Sequence, residues 1–368
     1  MKRASIHEGT RVSPLISKNH FASMSFFREE PLITWPYTDA VLFTAYDIYR
    51  SNDFWIDSVI KSGSTFKEAL NALGFPRENI LVADTGVFEL EAKKAGIAKQ
   101  LGIDIDIELT NKQIFEAYEL SGADVLVSPD EIILATDDNS TKTRKIETIQ
   151  ENLLDLLEIT HASTVIGVLQ GIEPKYLEEL FEFYISHGVT KFAAGGALPL
   201  YWYDKTLFHK VLRYVRDLTK GYWLHSFGLP DVKLLPFYLC DIGMDSVDTS
   251  MLLYMTARRK YLIGTQQRPV RLASFENCTC EGCVNLSREM YTQGHDFFIG
   301  LYIHNITEAA KVADACTNGS WIPITKDTRI IEDKSYEKVS IRSEQVQNYD
   351  NEKAPSDWTT ADTLIDDE

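Results

Sequence analysis

Hydrophobic positions along the chain fall into two alternating rhythms. Short apolar runs recur at 40–45, 80–84, 123–127, 164–169, 190–194, 222–227 and 245–248. Most are continuous rather than alternating with polar residues. That is the pattern of parallel strands buried on both faces. An eighth strand is less distinct, and Val12 to Ile16 is the candidate.

Between these runs the period changes to that of a helix. From Thr143 to Ile159, apolar residues stand at Ile146, Ile149, Leu153, Leu154, Leu156 and Leu157. Tyr176 to His187 repeats the pattern and stops at Gly188, a residue suited to ending helices. Asp204 to Lys220 is amphipathic, with Leu207, Phe208, Val211, Leu212, Val215 and Leu218 on one side. Repeated strand–helix units predict an α/β fold, either a closed (β/α)8 TIM barrel or a doubly wound sheet. No early G-x-G-x-x-G follows a strand, so the barrel is favoured over a dinucleotide-binding sheet.

Composition narrows the function. The chain has 368 residues, 44% of them apolar and 25% charged, as in ordinary globular proteins. Its 37 Lys and Arg against 54 Asp and Glu give a net charge of −17. A general basic coat for nucleic acid is thereby excluded, and any phosphate-binding surface must be local. The basic start Met1-Lys2-Arg3-Ala4-Ser5 leads into no apolar segment, so no signal peptide is expected. Nowhere do about 18 apolar residues run together, so no membrane span is expected and the protein reads as cytoplasmic. Residues 332–368 hold eleven Asp or Glu against four Lys or Arg and read as an acidic flexible tail.

Candidate chemistry sits where the strands end. The run at 80–83 ends in Asp84-Thr85-Gly86, and the next in Ser128-Pro129-Asp130-Glu131. Later runs end in Gln170-Gly171, Gly195-Gly196 and Asp248-Thr249-Ser250. In a parallel barrel these are the C-terminal mouths, where active sites lie. A carboxylate there is costly to bury without a task or a partner. Two carboxylates facing one anomeric carbon can divide glycosyl transfer between nucleophile and acid/base. A carboxamide beside a carboxylate can read the edge of a planar heterocycle, and glycines let a flat ring come close to the backbone. The plainer alternative is that Asp84 and Asp130 cap the following helices. It suits either aspartate singly and suits the set at successive strand ends less well.

Two further clusters stand out. Cys278, Cys280 and Cys283 crowd one loop, and His304 follows. Three thiolates and an imidazole form a closed tetrahedral zinc site of the structural kind. His295 is a rival fourth ligand, and reduced free thiols are the alternative to metal. Cys240 and Cys316 read as isolated core thiols. Among basic residues, His209, Arg213, Arg216 and Lys220 share a helical face, suited to phosphate or simply to solvent. The better candidate for nucleic-acid contact is Arg258-Arg259-Lys260, which lies between Asp248 and the cysteine loop, with Arg268 and Arg271 beyond. The expected divisions are an N-terminal segment 1–35, a barrel 36–265, a zinc-binding subdomain with closing helix 266–330, and the tail 331–368.

Several of these segments resemble tRNA-guanine transglycosylases. Val82 to Leu90, containing Asp84-Thr85-Gly86-Val87-Phe88, resembles the family's Asp-Ser-Gly-Gly/Ala-Phe/Tyr-Gln-Leu motif. Gly167 to Gly171 resembles its Val-Gln-Gly segment, and Phe192 to Pro199 its Gly-Gly segment. Gly243 to Ser250 is similar to the nucleophile segment, Leu253 to Gly264 is most like the archaeal branch, and the cysteine loop with Ile303-His304-Asn305 matches the zinc motif. The likeness runs in order over about residues 40–310.

The resemblance implies a (β/α)8 barrel with a zinc-bearing subdomain, and base exchange by two displacements. Asp248 would be the nucleophile and Asp84 the general acid/base. Asp130, Gln170, Gly195 and Gly196 would recognise a 7-deazaguanine such as preQ0 or preQ1. Structural Zn2+ would be the only cofactor. Thr85-Gly86-Val87 replaces the usual Ser-Gly-Gly, and an acidic tail stands where archaeal tRNA enzymes carry an RNA-binding module. On that ground the DNA-directed branch is expected, with tRNA as the alternative substrate and a non-catalytic partner subunit as the alternative role. A homodimer, and an accessory protein presenting DNA, are further expectations.

Overall fold

The computed structural model describes residues 15–16, 40–46, 63–72, 75–87, 109–249, 251–270, 275, 278–289 and 295–321. The 1–14 segment, Phe88 to Leu90, Ser250, Arg271 and the acidic tail lie outside the described residues.

Among the described residues, eight parallel strands form one sheet. They are β1 (Leu15–Ile16), β2 (Ala40–Thr44), β3 (Ile80–Asp84), β4 (Val125–Val127), β5 (Val165–Leu169), β6 (Lys191–Ala194), β7 (Trp223–Ser226) and β8 (Ser246–Asp248). Their order is β1-β8-β7-β6-β5-β4-β3-β2, and β1 also lies beside β2, so the sheet curls into a nearly closed barrel. The faint eighth strand in the sequence is β1, which pairs with β8 through Leu15–Val247 and Ile16–Asp248. A separate antiparallel hairpin joins β9 (Lys260–Ile263) to β10 (Gln266–Pro269).

The described helices are α1 (Phe66–Ala72), α2 (Asn111–Ser121), α3 (Asn139–Ile159), α4 (Pro174–Ser186), α5 (Leu200–Tyr203), α6 (Lys205–Leu218), α7 (Met251–Ala257), α8 (Glu281–Glu289) and α9 (His295–Thr317). Their ends follow local chemistry. Thr110 and Gln113 close a capping box on α2, and Gly122 ends it in a left-handed conformation. Helix α3 begins four residues earlier than its apolar period suggests, because Asp138 Oδ1 accepts the Thr141 N–H at 2.7 Å. Pro174 occupies the first turn of α4, where its missing N–H costs nothing.

Side-chain parity sorts the strands into two cores. Ala40, Leu42, Ile80, Val82, Val125, Val127, Ile166, Val168, Ala193 and Trp223 pack together inside the barrel. Their neighbours Phe43, Leu81, Ala83, Leu126, Val165, Leu169, Phe192, Leu224 and Val247 join the larger core beneath the helices. Since side chains alternate, the inward set continues to Thr44, Asp84, Gln170, Gly195, His225 and Asp248 at the C-terminal ends. A third core of Tyr261, Cys283, Leu286, Phe297 and Leu301 lies between the hairpin, α8 and α9.

Candidate active site

Parity thus aims the polar residues inward at one end of the barrel, and burial makes them interact. Asp84, Asp130, Gln170 and Asp248 are all buried. Asp130 does not cap the helix that follows; Asp138 does that. Instead it accepts a hydrogen bond from Gln170 Nε2. Its carboxyl is pushed up to about 7, first by burial and further by the Asp84 charge, against the lowering effect of the Gln170 amide. The phenol of Tyr118, which donates to the Val127 carbonyl at 2.8 Å, is raised by burial and by Asp84 and Asp130 together. Asp84, Asp130 and Tyr118 therefore share one electrostatic environment.

The loop bearing Asp130 is clamped from below. Lys145 Nζ donates to the Ile132 carbonyl at 2.7 Å and to Asp137 at 2.8 Å. Lys142 pairs with Glu173 at 2.6 Å, and Asn152 donates to the Pro129 carbonyl at 3.3 Å. The Pro129 and Ile132 contacts hold the backbone on either side of Asp130.

Gly195 and Gly196 form the wall against Gln170. A Cβ on Gly195 would lie 2.6 Å from Gln170 Nε2, and one on Gly196 2.8 Å from Oε1. Gly196 also has φ +73°, a conformation that favours glycine. The Oε1 acceptor of Gln170 is buried without a hydrogen-bond donor among the described residues. An orphaned acceptor in a polar barrel mouth suits a ligand that brings a donor.

Across the barrel, Asp248 ends β8. Its Oδ1 accepts from the Gly228 N–H at 2.8 Å and lies 3.2 Å from His225 Nε2. His225 Nδ1 lies 2.6 Å from Ser246 Oγ. The sequence reading missed His225 and Ser246. The available signal was parity: His225 stands two residues after inward-facing Trp223, and Ser246 two before Asp248.

The second cluster is a candidate metal centre. Ligand atoms of Cys278, Cys280, Cys283 and His304 lie within 4.8 Å of one another. The three sulfurs stand 3.5, 3.4 and 3.3 Å from His304 Nδ1. Tetrahedral zinc with ordinary Zn–S and Zn–N bonds would separate S and N by about 3.6 Å. The donor set and spacing fit that ion. His304 Nε2–H donates to the Leu262 carbonyl at 2.8 Å, which leaves Nδ1 with its lone pair for metal. Tyr261 stacks on the imidazole at 3.8 Å, and Asn305 ties Leu262, Lys260 and Thr256 together at 2.9–3.0 Å. His295, the rival ligand, begins α9, and its side chain lies outside the described residues.

The remaining sequence candidates divide. Arg258 and Arg259 are exposed and Lys260 half-buried, at the turn into β9. The basic face of α6 is not a phosphate surface at Arg216. That guanidinium is buried and donates to Asp245 Oδ2 at 3.2 Å, the Gly243 carbonyl at 3.3 Å and the Tyr222 carbonyl at 2.8 Å. It pins the start of β8 beneath β7. Cys240 is exposed rather than a core thiol, because Phe237, Tyr238 and Ile242 take the inner side of its π-helical turn; Cys316 is half-buried. Among the described residues, no helix is long and apolar enough to cross a membrane.

The family model described as queuine tRNA-ribosyltransferase matches residues 52–313, well over half of the chain. No curated protein gives a significant match.

Proposed function

The chain belongs to the queuine tRNA-ribosyltransferase family, and from that premise we propose that it exchanges guanine in a nucleic acid for a 7-deazaguanine by a covalent ping-pong reaction. The observation that carries the reading is the polar set at the ends of β3, β4, β5, β6 and β8, built around the Asp130–Gln170 pair and its orphaned acceptor. Guanine and its 7-deaza relatives offer N–H donors along one edge. Asp130 can accept from that edge, and Gln170 offers both a donor and an acceptor. The Gly195-Gly196 wall leaves room for a flat ring.

The chemistry follows from the two inward aspartates. A carboxylate oxygen of Asp248 forms a bond to C1′ while the C1′–N9 pair departs with guanine. Asp84 supplies the proton that the leaving base takes up. The product is a glycosyl ester of Asp248. Asp84, now ionised, takes the N9 proton of the incoming base, whose N9 attacks C1′ and returns the bonding pair to the Asp248 carboxylate. Two inversions retain the configuration. Residues Cys278, Cys280, Cys283 and His304 would hold Zn2+, which supplies folding energy rather than chemistry. Arg258, Arg259 and Lys260 would contact phosphates.

DNA is the proposed substrate. Residues 332–368 carry eleven Asp or Glu against four Lys or Arg, a composition unlike that of a basic segment that grips a folded tRNA. A base within a duplex must be flipped out before it can react, so a partner that opens or presents DNA fits the same picture. The test is incubation with labelled preQ0 or guanine, offering duplex DNA and tRNA in parallel. Label in DNA supports the reading. Label in tRNA alone, as the family's description suggests, replaces DNA by tRNA. Label in neither contradicts base exchange.

A further inference from the structure

In neighbouring parallel strands, His225 of β7 stands in register with Ser246 of β8, two residues before Asp248. All three side chains are buried: Ser246 is 0%, His225 1% and Asp248 3% exposed. The imidazole is held in plane by Trp223, parallel to it at 5.9 Å and 9°, and by Phe227, edge-on at 4.9 Å. Its two nitrogens therefore have fixed partners, Ser246 Oγ at 2.6 Å on Nδ1 and Asp248 Oδ1 at 3.2 Å on Nε2.

These partners differ in what they can do. A carboxylate only accepts, whereas a serine hydroxyl both donates and accepts. Were the proton on Nδ1, the Nε2 lone pair would face a carboxylate lone pair in a buried site. With the proton on Nε2, the imidazole donates to Asp248 and the Ser246 hydroxyl donates to Nδ1. Of the two neutral tautomers, only the second satisfies all three groups with Asp248 ionised. Asp248 Oδ1 then receives two donors, Nε2–H and the Gly228 N–H at 2.8 Å. Among the described residues none donates to Oδ2.

We propose that His225, its tautomer set by Ser246, is a positioning residue that reserves Oδ1 of Asp248 as a hydrogen-bond acceptor and presents Oδ2 as the attacking atom. The inference rests on the base-exchange reading above. In the forward step, an Oδ2 lone pair forms the bond to C1′ and the C1′–N9 pair leaves with the base. In the ester, Oδ1 becomes the carbonyl oxygen and keeps both donors. In the return step the C1′–Oδ2 pair reverts to the carboxylate, and the same donors stabilise its re-forming charge. His225 thus aids the departure of Asp248 as well as aiming its attack. Donors preorganised toward a developing oxyanion are the kind of group whose removal is costly.

Two measurements test this. In the full chain with 15N-labelled histidine, the His225 ring should show the Nε2–H tautomer, and Ser246→Ala should make the tautomers mix. Kinetically, His225→Leu should lower kcat by about 10- to 100-fold with little change in KM for the base, as expected for loss of one donor to a charged group. His225→Gln, whose amide nitrogen can stand near the Nε2 position, should recover part of the rate. Zinc content and thermal midpoint measured alongside identify a variant that has not folded. An Nδ1–H tautomer, a His225→Leu variant at wild-type kcat, or equal losses in folded Leu and Gln variants would overturn the proposal while leaving base exchange standing. A wild-type protein with no exchange on DNA or tRNA defeats the base-exchange reading itself, and the proposed role with it; the tautomer measurement then separately tells whether the hydrogen-bond geometry is right.

Discussion

Gly195→Ala perturbs the proposed base-binding wall with a single methyl group. Gly195 does not have a left-handed φ, so its backbone accepts alanine without strain. The added Cβ meets Gln170 Nε2 at 2.6 Å, Gln170 Cδ at 2.8 Å and Val168 Cγ1 at 2.8 Å. Gln170 is 3% exposed, so it can yield only by moving away from Asp130. Above about pH 7, where Asp130 is ionised, that breaks a hydrogen bond to a charged group, worth about 1.5–3 kcal/mol. Loss of that amount weakens base binding by roughly 10- to 150-fold. Overpacking should lower stability by about 1–3 kcal/mol as well. Without the Gln170 amide, which holds the Asp130 carboxyl down, its titration should move above about 7. Calorimetric titration with preQ0 or guanine, beside a thermal melt, reads both effects. An alanine variant that binds the base as tightly as the wild type, with Gln170 still on Asp130, would refute this account of the wall.

Other predictions follow from the same geometry. Asp130 holds its proton in the folded chain up to about pH 7, mainly because it is buried, while its ordinary value is 3.8; folding stability therefore falls as pH rises through that window, by up to about 1.4 kcal/mol per pH unit. Asp130→Asn removes that slope, so denaturation midpoints at pH 5 and pH 8 should show the variant gaining on the wild type as pH rises. Removing metal with a chelator, or Cys283→Ser, should abolish stoichiometric zinc and lower the melting temperature by roughly 10 °C, with hydrogen exchange rising first in β9 and α9. Gly282→Ala should destabilise the same region, since its Cβ would lie 2.1 Å from the Gly300 carbonyl oxygen where α8 crosses α9, and zinc content should fall with it.

Much of the barrel was legible because its strands are buried on both faces, and continuous apolar runs such as Val165 to Leu169 announce that directly. Boundaries moved where a single polar residue set them, as Asp138 does for α3. The strand-end residues Asp84, Gln170, Gly195 and Asp248 could be picked out from position, and alternation along each strand explains why they face inward. The cysteine loop was legible from spacing, and the hydrogen bond from His304 to Leu262 shows how its Nδ1 is left free to face the three sulfurs. What stayed hidden depends on register between distant segments. His225 looks like one of two polar residues ending an apolar strand until β7 and β8 are aligned and Ser246 falls beside it. Arg216 shares a helical face with Arg213 and Lys220 by periodicity, yet its guanidinium reaches inward to Asp245 and the Gly243 and Tyr222 carbonyls. Helical spacing shows which residues are neighbours on a helix and cannot show what lies beneath them.

Asp248 should form a covalent bond to a nucleic-acid sugar. Intact-mass analysis of the protein mixed with its polynucleotide substrate, quenched under denaturing conditions before an acceptor base is added, reads that bond directly. The wild type should give an adduct of protein plus polynucleotide less guanine, lost on adding preQ0 and absent from a folded, zinc-loaded Asp248→Asn variant. An adduct of equal yield in that variant, or base exchange at the wild-type rate without Asp248, would contradict the bond to Asp248.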